Sequence, residues 1–452
     1  MMSEVQSTTL CIATLALPAS ELSCSHSVAS DCEHEAYSLA PLVPNVQALF
    51  RNCNVLGCAY LICSIVSFCS SPYTGAGSAL DVVCVMSDVI CVDATSALFV
   101  MTGCAMASLL AANEPAKQSK ITRHVCLALL IDMYCAMVCA LLLGSLHALI
   151  MDRFKLSDVA FTALDGITTL RVLDFQQSEA APHSYNVTVW PVQCLLWCVL
   201  SIKGLMEMEA WLVARMPAVA DGCICLLSLV GIILFTVFGS MQASSNIFYA
   251  NASSVTYRTL EFNLGVHVMF LHNRHLALVT ALRRFSQQAA YVVALLCVTV
   301  WLAEIGRPVP ARRDDSCLRL YHRNTCLQDH HVFFLRGCAM ALFALLCTNI
   351  RSPEMLHHEL QLTGVLLSAV CFCWPLCIAV KLVLDVTFGT ELINQNRPFV
   401  LVACATALFI LSFSYASILQ PRMLCFAKRV LRHSTTSQAP RTDSLHIPLV
   451  SD

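Results

Sequence analysis

The sequence predicts an all-α protein, a polytopic membrane bundle of about ten transmembrane helices, and three observations carry that expectation. Of 452 residues, 57% are apolar, 12% are charged and mean hydropathy is +0.69, whereas a soluble domain carries about 25% charged residues. The missing polar surface is expected to face lipid. The apolar residues also gather into long stretches near the ~20 residues that cross ~30 Å of hydrocarbon. Finally, the polar segments between those stretches are mostly short. The formal charge of −2, from 27 basic and 29 acidic residues, supplies no field for a polyanion, so nucleic-acid binding is not expected. Cysteines inside apolar runs, such as Cys135, Cys139, Cys371, Cys373 and Cys377, read as small hydrophobes that let helices pack.

Residues 1–51 read as a cytoplasmic N-terminal tail. Within it, 8–19 resembles a signal-peptide core, but only Glu4 precedes it where a basic region belongs, so an uncleaved tail is expected. The bundle occupies 52–419, with spans at 52–70, 89–112, 125–150, 189–206, 219–239, 259–282, 289–305, 332–349, 362–386 and 399–419. The second is preceded by apolar 76–88 with Asp81 and Asp88, and the sixth carries His267, His272, Arg274 and His275. The stretch 158–173 holds Asp165 and Arg171, which suits an interfacial amphipathic helix better than a crossing. Residues 420–452 read as a basic tail whose first dozen residues form a helix on the anionic cytoplasmic leaflet, the remainder being disordered. Cys425, among basic residues, is a palmitoylation candidate.

Orientation follows from independent marks. Asn186 (with Thr188) and Asn251 (with Ser253) are glycosylation sequons usable only outside the cytoplasm, and two spans separate them, so they fall on one side. Both termini are then cytoplasmic, as are Lys117, Lys120, Arg123, Arg283, Arg284 and the basic tail. The opposite side receives 306–330, with five Arg partly offset by Asp314, Asp315 and Asp329, and with Cys317 and Cys326 placed to form a disulfide. Cys317, His322, Cys326, His330 and His331 superficially suggest zinc. No CxxC or HxxxH core accompanies them, and neither a metal nor another cofactor is expected.

Ionisable groups in hydrocarbon are costly and therefore functional candidates. Asp132 lies about eight residues into the third span, and Arg274 in the sixth is the expected cationic partner. His272 and His275 lie one turn apart and could relay protons, though two histidines lack the third ligand of a metal site. Arg336, in the eighth span, and the i,i+4 pair Lys381 and Asp385, in the ninth, lie near an interface, where pairing and snorkelling are the expected roles. No phosphate-binding loop, dinucleotide fingerprint, HExxH or GxSxG is present, and an enzyme is not expected. Trp374-Pro375 resembles the kinked penultimate helix of seven-span receptors, but ten spans argue against that third reading.

Gly103-Cys104-Ala105-Met106-Ala107 recurs as Gly337-Cys338-Ala339-Met340-Ala341, six spans later. Two parallel six-span halves, the second truncated, would explain the echo as a major-facilitator-like pseudo-repeat. Small residues selected for helix packing explain it equally.

From residue 52 onward the chain resembles the multi-spanning envelope proteins of herpesviruses, which look like degenerate equilibrative nucleoside transporters. The resemblance rests on span number, cytoplasmic N-terminus, Cys-rich and Leu-rich helices and the internal echo. It departs from the transporters proper: the first span has no Trp-Asn end, the central loop is only 283–288, and Arg336 has no nearby acid. Such departures fit a transporter scaffold reused for another purpose. The resemblance implies a non-enzymatic protein of a virion envelope or host-cell membrane, embedded in the lipid bilayer and acting through another membrane or envelope protein in assembly or spread. The alternative is a secondary transporter of a nucleoside or other small polar solute.

Overall fold

A computed structural model describes residues 44–70, 79–111, 113, 115–150, 155–168, 189–244, 255–274, 356–389 and 397–437. Among them every regular element is helical: α1 (Pro44–Ser70), α2 (Ala79–Ala111), α3 (Pro115–Ile150), α4 (Leu156–Thr168), α5 (Trp190–Arg215), α6 (Ala220–Ser244), α7 (Val255–Arg274), α8 (Leu356–Phe388), α9 (Arg397–Ser414) and α10 (Gln420–Ser437), with a π turn at Tyr415–Leu419 joining the last two. Five described segments are long and apolar enough to cross a membrane: Ala94–Ala111, Lys117–Ile150, Trp190–Arg215, Leu362–Phe388 and Phe399–Val430. Arg51–Val66 and Ala220–Phe235 are shorter apolar helices. The expected spans at 289–305 and 332–349 lie outside the described residues.

The side-chain distribution on α3 explains why these helices suit lipid. Tyr134, Val138, Leu142, Leu146 and Leu149 point outward, whereas Ala128, Ala136, Ala140 and Ala148 are buried. Large apolar groups outside and small ones inside let backbones approach closely while hydrocarbon solvates the perimeter. The same perimeter continues on α6 through Leu226, Ile233 and Phe238.

The closest crossing is between α2 and α7. A Cβ added at Gly103 would strike the backbone at Phe262, and one at Gly265 would strike the backbone at Val100. Cys104 Sγ donates to Gly265 O at 3.2 Å across the same contact. The first copy of the internal echo thus has a packing role; the second, 337–341, lies outside the described residues.

Contacts fix helix directions. Asn54 with Thr363 and Gly57 with Leu366 make α1 and α8 parallel. Arg258 with Ser96 and Gly265 with Val100 make α2 and α7 parallel, as Cys198 with Thr259 and Ser201 with Asn263 do for α5 and α7. The short turn between α2 and α3 is closed by Asn113, whose side chain donates to Leu109 O, and by Gln118, which donates to Leu110 O and Asn113 O. These bonds satisfy carbonyls that a helix end leaves open.

From Ala79 onward, the apolar 76–88 that precedes the expected second span belongs with it to the 33-residue α2, about 50 Å long. The chain does not break between the last span and the tail. α9, the π turn and α10 follow without interruption to Ser437, and Leu424 is buried against Ala128 and Ile131 of α3. A helix whose one face fits α3 gains more from that seam than from lying flat on a leaflet. The amphipathic stretch at 158–173 forms α4, which at 13 residues is about 20 Å long and too short to cross.

Candidate functional site

Asp132 is fully buried on α3, where a carboxylate demands hydrogen bonds. It receives them from the far end of the chain. Tyr415 Oη donates to Oδ1 at 2.9 Å, Gln420 Nε2 donates to Oδ1 and Oδ2 at 2.9 and 3.0 Å, and Ser368 Oγ on α8 reaches Oδ2 at 3.4 Å. The π turn makes the convergence possible. Residues five apart on an α-helix diverge by about 140° at 100° per residue. The i→i+5 register, seen in the bond from Gln420 N–H to Tyr415 O, instead carries Tyr415 and Gln420 toward one face. Phe372 packs edge-on against the Tyr415 ring with centroids 4.8 Å apart, fixing its direction. The side chains of Arg274 and His272 lie outside the described residues, as does His275, so the expected Asp132–Arg274 pair falls there too.

A second centre joins α2, α5 and α7. Arg258 and Glu261, one turn apart on α7 and 2% and 1% exposed, form an ion pair at 2.7 Å. Arg258 also donates to Ser96 Oγ at 3.0 Å. Its guanidinium lies 5.5 Å from the Phe99 ring centroid and 5.3 Å from that of Trp190, so aromatic faces replace part of its lost hydration. Glu261 Oε1 has no hydrogen-bond partner. His267, two turns along α7, is wedged between Phe235 and Phe270 in the space Gly231 leaves, where a Cβ would strike the imidazole at 2.8 Å. Its Nδ1 makes no hydrogen bond, which suits a packing wedge.

Between α1, α2, α5 and α8 lies a cavity of about 70 Å³, lined by Asn54, Gly57, Phe99, Thr102, Val192 and Thr363 among others. Thr363 Oγ1 donates to Asn54 Oδ1 at 2.7 Å and Thr102 Oγ1 to Leu98 O at 2.7 Å, so both hydroxyls are spent within the wall. Pockets for drug-sized ligands run to about 300–1,000 Å³. Phe99, on this wall, also faces Arg258, which places the ion pair behind an aromatic partition.

Of the other sequence candidates, Lys381 and Asp385 are half-buried one turn apart on α8. Expected to pair, they form no ion pair with each other, unlike Lys203 with Glu207 and Arg258 with Glu261. Cys425 is half-buried on α10 with a free thiol, and the other cysteines whose side chains are described are likewise in the thiol form. Among those residues no three His, Cys, Asp or Glu are arranged to hold a metal ion. Arg336, Asn186, Asn251, Cys317 and Cys326 lie outside them.

Sequence reasoning missed Arg258, Glu261, Tyr415 and Gln420. Arg258 stood one residue before the expected sixth span, although an Arg-x-x-Glu spacing is the signal of a one-turn ion pair. Gln420 stood one residue after the tenth, and no pattern in 399–437 announces a π turn. No family model matches the chain, and neither a curated protein nor a solved structure matches it. The class defined by fold and site is an all-helical protein with several helices able to span a membrane.

Proposed function

We propose that this chain is a non-enzymatic multi-pass membrane protein with ten crossings, acting at a viral envelope or infected-cell membrane through contacts with another membrane protein in assembly or spread. One observation carries the reading: Asp132 and Arg258 are engaged in bonds that tie helix to helix, and Glu261 neutralises Arg258 from the next turn of α7. In a solute path such groups would be expected to line open space. The cavity of about 70 Å³ between α1, α2, α5 and α8 has none of Asp132, Arg258 and Glu261 in its wall. The test is photocrosslinking in cells from positions on the outward face of α6, such as Leu229 and Ile233, followed by detergent purification. A reproducible adduct with one membrane protein is expected; adducts with lipid alone would contradict the proposal.

Transport of a nucleoside or other small polar solute is the second reading. Its support is the placement of Asn54 and Thr363 on the cavity wall between four helices.

A further inference from the structure

Sequence shows two separate basic segments, one before the third span and one after the tenth; the structure makes them the two sides of a single seam. α3 and α10 run antiparallel in a register fixed at successive turns. Asp132 meets Gln420, Ala128 packs with Leu424, and His124 lies within electrostatic reach of Lys428. Each step is four residues on both helices, and Lys120 lies one further turn along α3. Lys120, Arg123, Lys428 and Arg429 are exposed there.

The deeper part of the seam is closed by Leu424, buried against Ala128 and Ile131, and by Gln420 on Asp132. His124, 8% exposed with neither ring nitrogen hydrogen-bonded, floors the basic end and has an N–H to donate. Phe426 and Val430, 69% and 51% exposed, flank Lys428 and Arg429 with apolar groups. Cations between helices, beside exposed hydrophobes at the end of a spanning segment, match a molecule that is anionic at its head and apolar in its body. We propose that the basic end of the α3–α10 seam binds the headgroup of an anionic phospholipid, Lys120 and Lys428 closing on the phosphate from opposite helices. The proposal rests on the membrane reading but not on the choice between partner contact and transport.

The experiment uses the full chain in nanodiscs of mixed phosphatidylcholine and phosphatidylserine, with retained lipid counted by native mass spectrometry. Retention of phosphatidylserine over phosphatidylcholine is expected for the wild type. At about 1 kcal/mol per basic residue, Lys120→Gln with Lys428→Gln should lower that preference roughly thirtyfold. Lys381→Gln should leave it unchanged, since Lys381 lies 13 residues beyond Ser368 on α8, about 20 Å from the level of Asp132 toward the opposite end. Should the double variant fold poorly, Arg123→Gln with Arg429→Gln reads the same loss. Lipids retained in the ratio supplied, or an unaltered preference in both double variants, would overturn the proposal. So would equally tight binding of inorganic phosphate in detergent, which would assign the seam to a soluble anion.

Discussion

Gln420 donates one carboxamide nitrogen to both oxygens of Asp132, at 2.9 and 3.0 Å, across 288 residues of chain. The bond makes the last helix part of the bundle, because Gln420 reaches α3 only when the π turn is formed. It also sets the sign of the substitutions. Asp132→Ala should lower stability by about 2–3 kcal/mol, leaving the buried donors of Tyr415 and Gln420 without an acceptor. Gln420→Leu should cost less. In thermal melts of detergent-purified protein, the double change should cost less than the two single changes added together. Additive losses would mean that the two side chains act separately.

The Arg258–Glu261 pair predicts a different asymmetry. Glu261→Ala strands a buried guanidinium and should cost about 3–5 kcal/mol, whereas Arg258→Leu with Glu261→Leu removes both charges and should recover most of that loss. Folded yield by fluorescence size-exclusion chromatography measures both. A double variant no better than Glu261→Ala would show that Ser96, Phe99 and Trp190 need the guanidinium itself.

Three glycines rank themselves by what a methyl group would meet. Gly103→Ala and Gly265→Ala should each force α2 and α7 apart, since the added carbon meets backbone. Gly57→Ala should be tolerated, because its nearest new neighbour is Leu366 Cδ1 at 3.6 Å, an ordinary contact. Melting temperatures that fail to separate Gly57→Ala from the other two would contradict the α2–α7 crossing.

Truncation separates the structural part of the last helix from the rest. Ending the chain after His433 should leave folding and glycosylation at Asn186 and Asn251 intact, while ending it after Leu419 removes Gln420 and Leu424 and should reduce folded yield to about that of Asp132→Ala. Glycosidase shift and protease protection read both variants.

Legibility followed the type of signal. Composition and run length announced the helices, because each must solvate some 20 apolar residues by itself. Asp132 was visible as a costly charge for the same reason. Its partners were not, since Ser368, Tyr415 and Gln420 are ordinary residues that acquire a role only through the packing of α8 and the π turn. Arg258 was hidden by a boundary drawn at residue 259, four residues after α7 begins at Val255, which left Glu261 inside the expected span without a visible partner. The basic tail was legible as charge but not as a partner of α3, because nothing local encodes the antiparallel register that joins Lys428 to His124.

Whether the buried charges hold helices together and conduct no solute is measured by nucleoside uptake into proteoliposomes containing matched amounts of folded wild type and Asp132→Asn. Uptake no greater than in protein-free vesicles is predicted for both. Uptake by the wild type that Asp132→Asn abolishes, with the variant still folded, would contradict a purely structural role and establish transport.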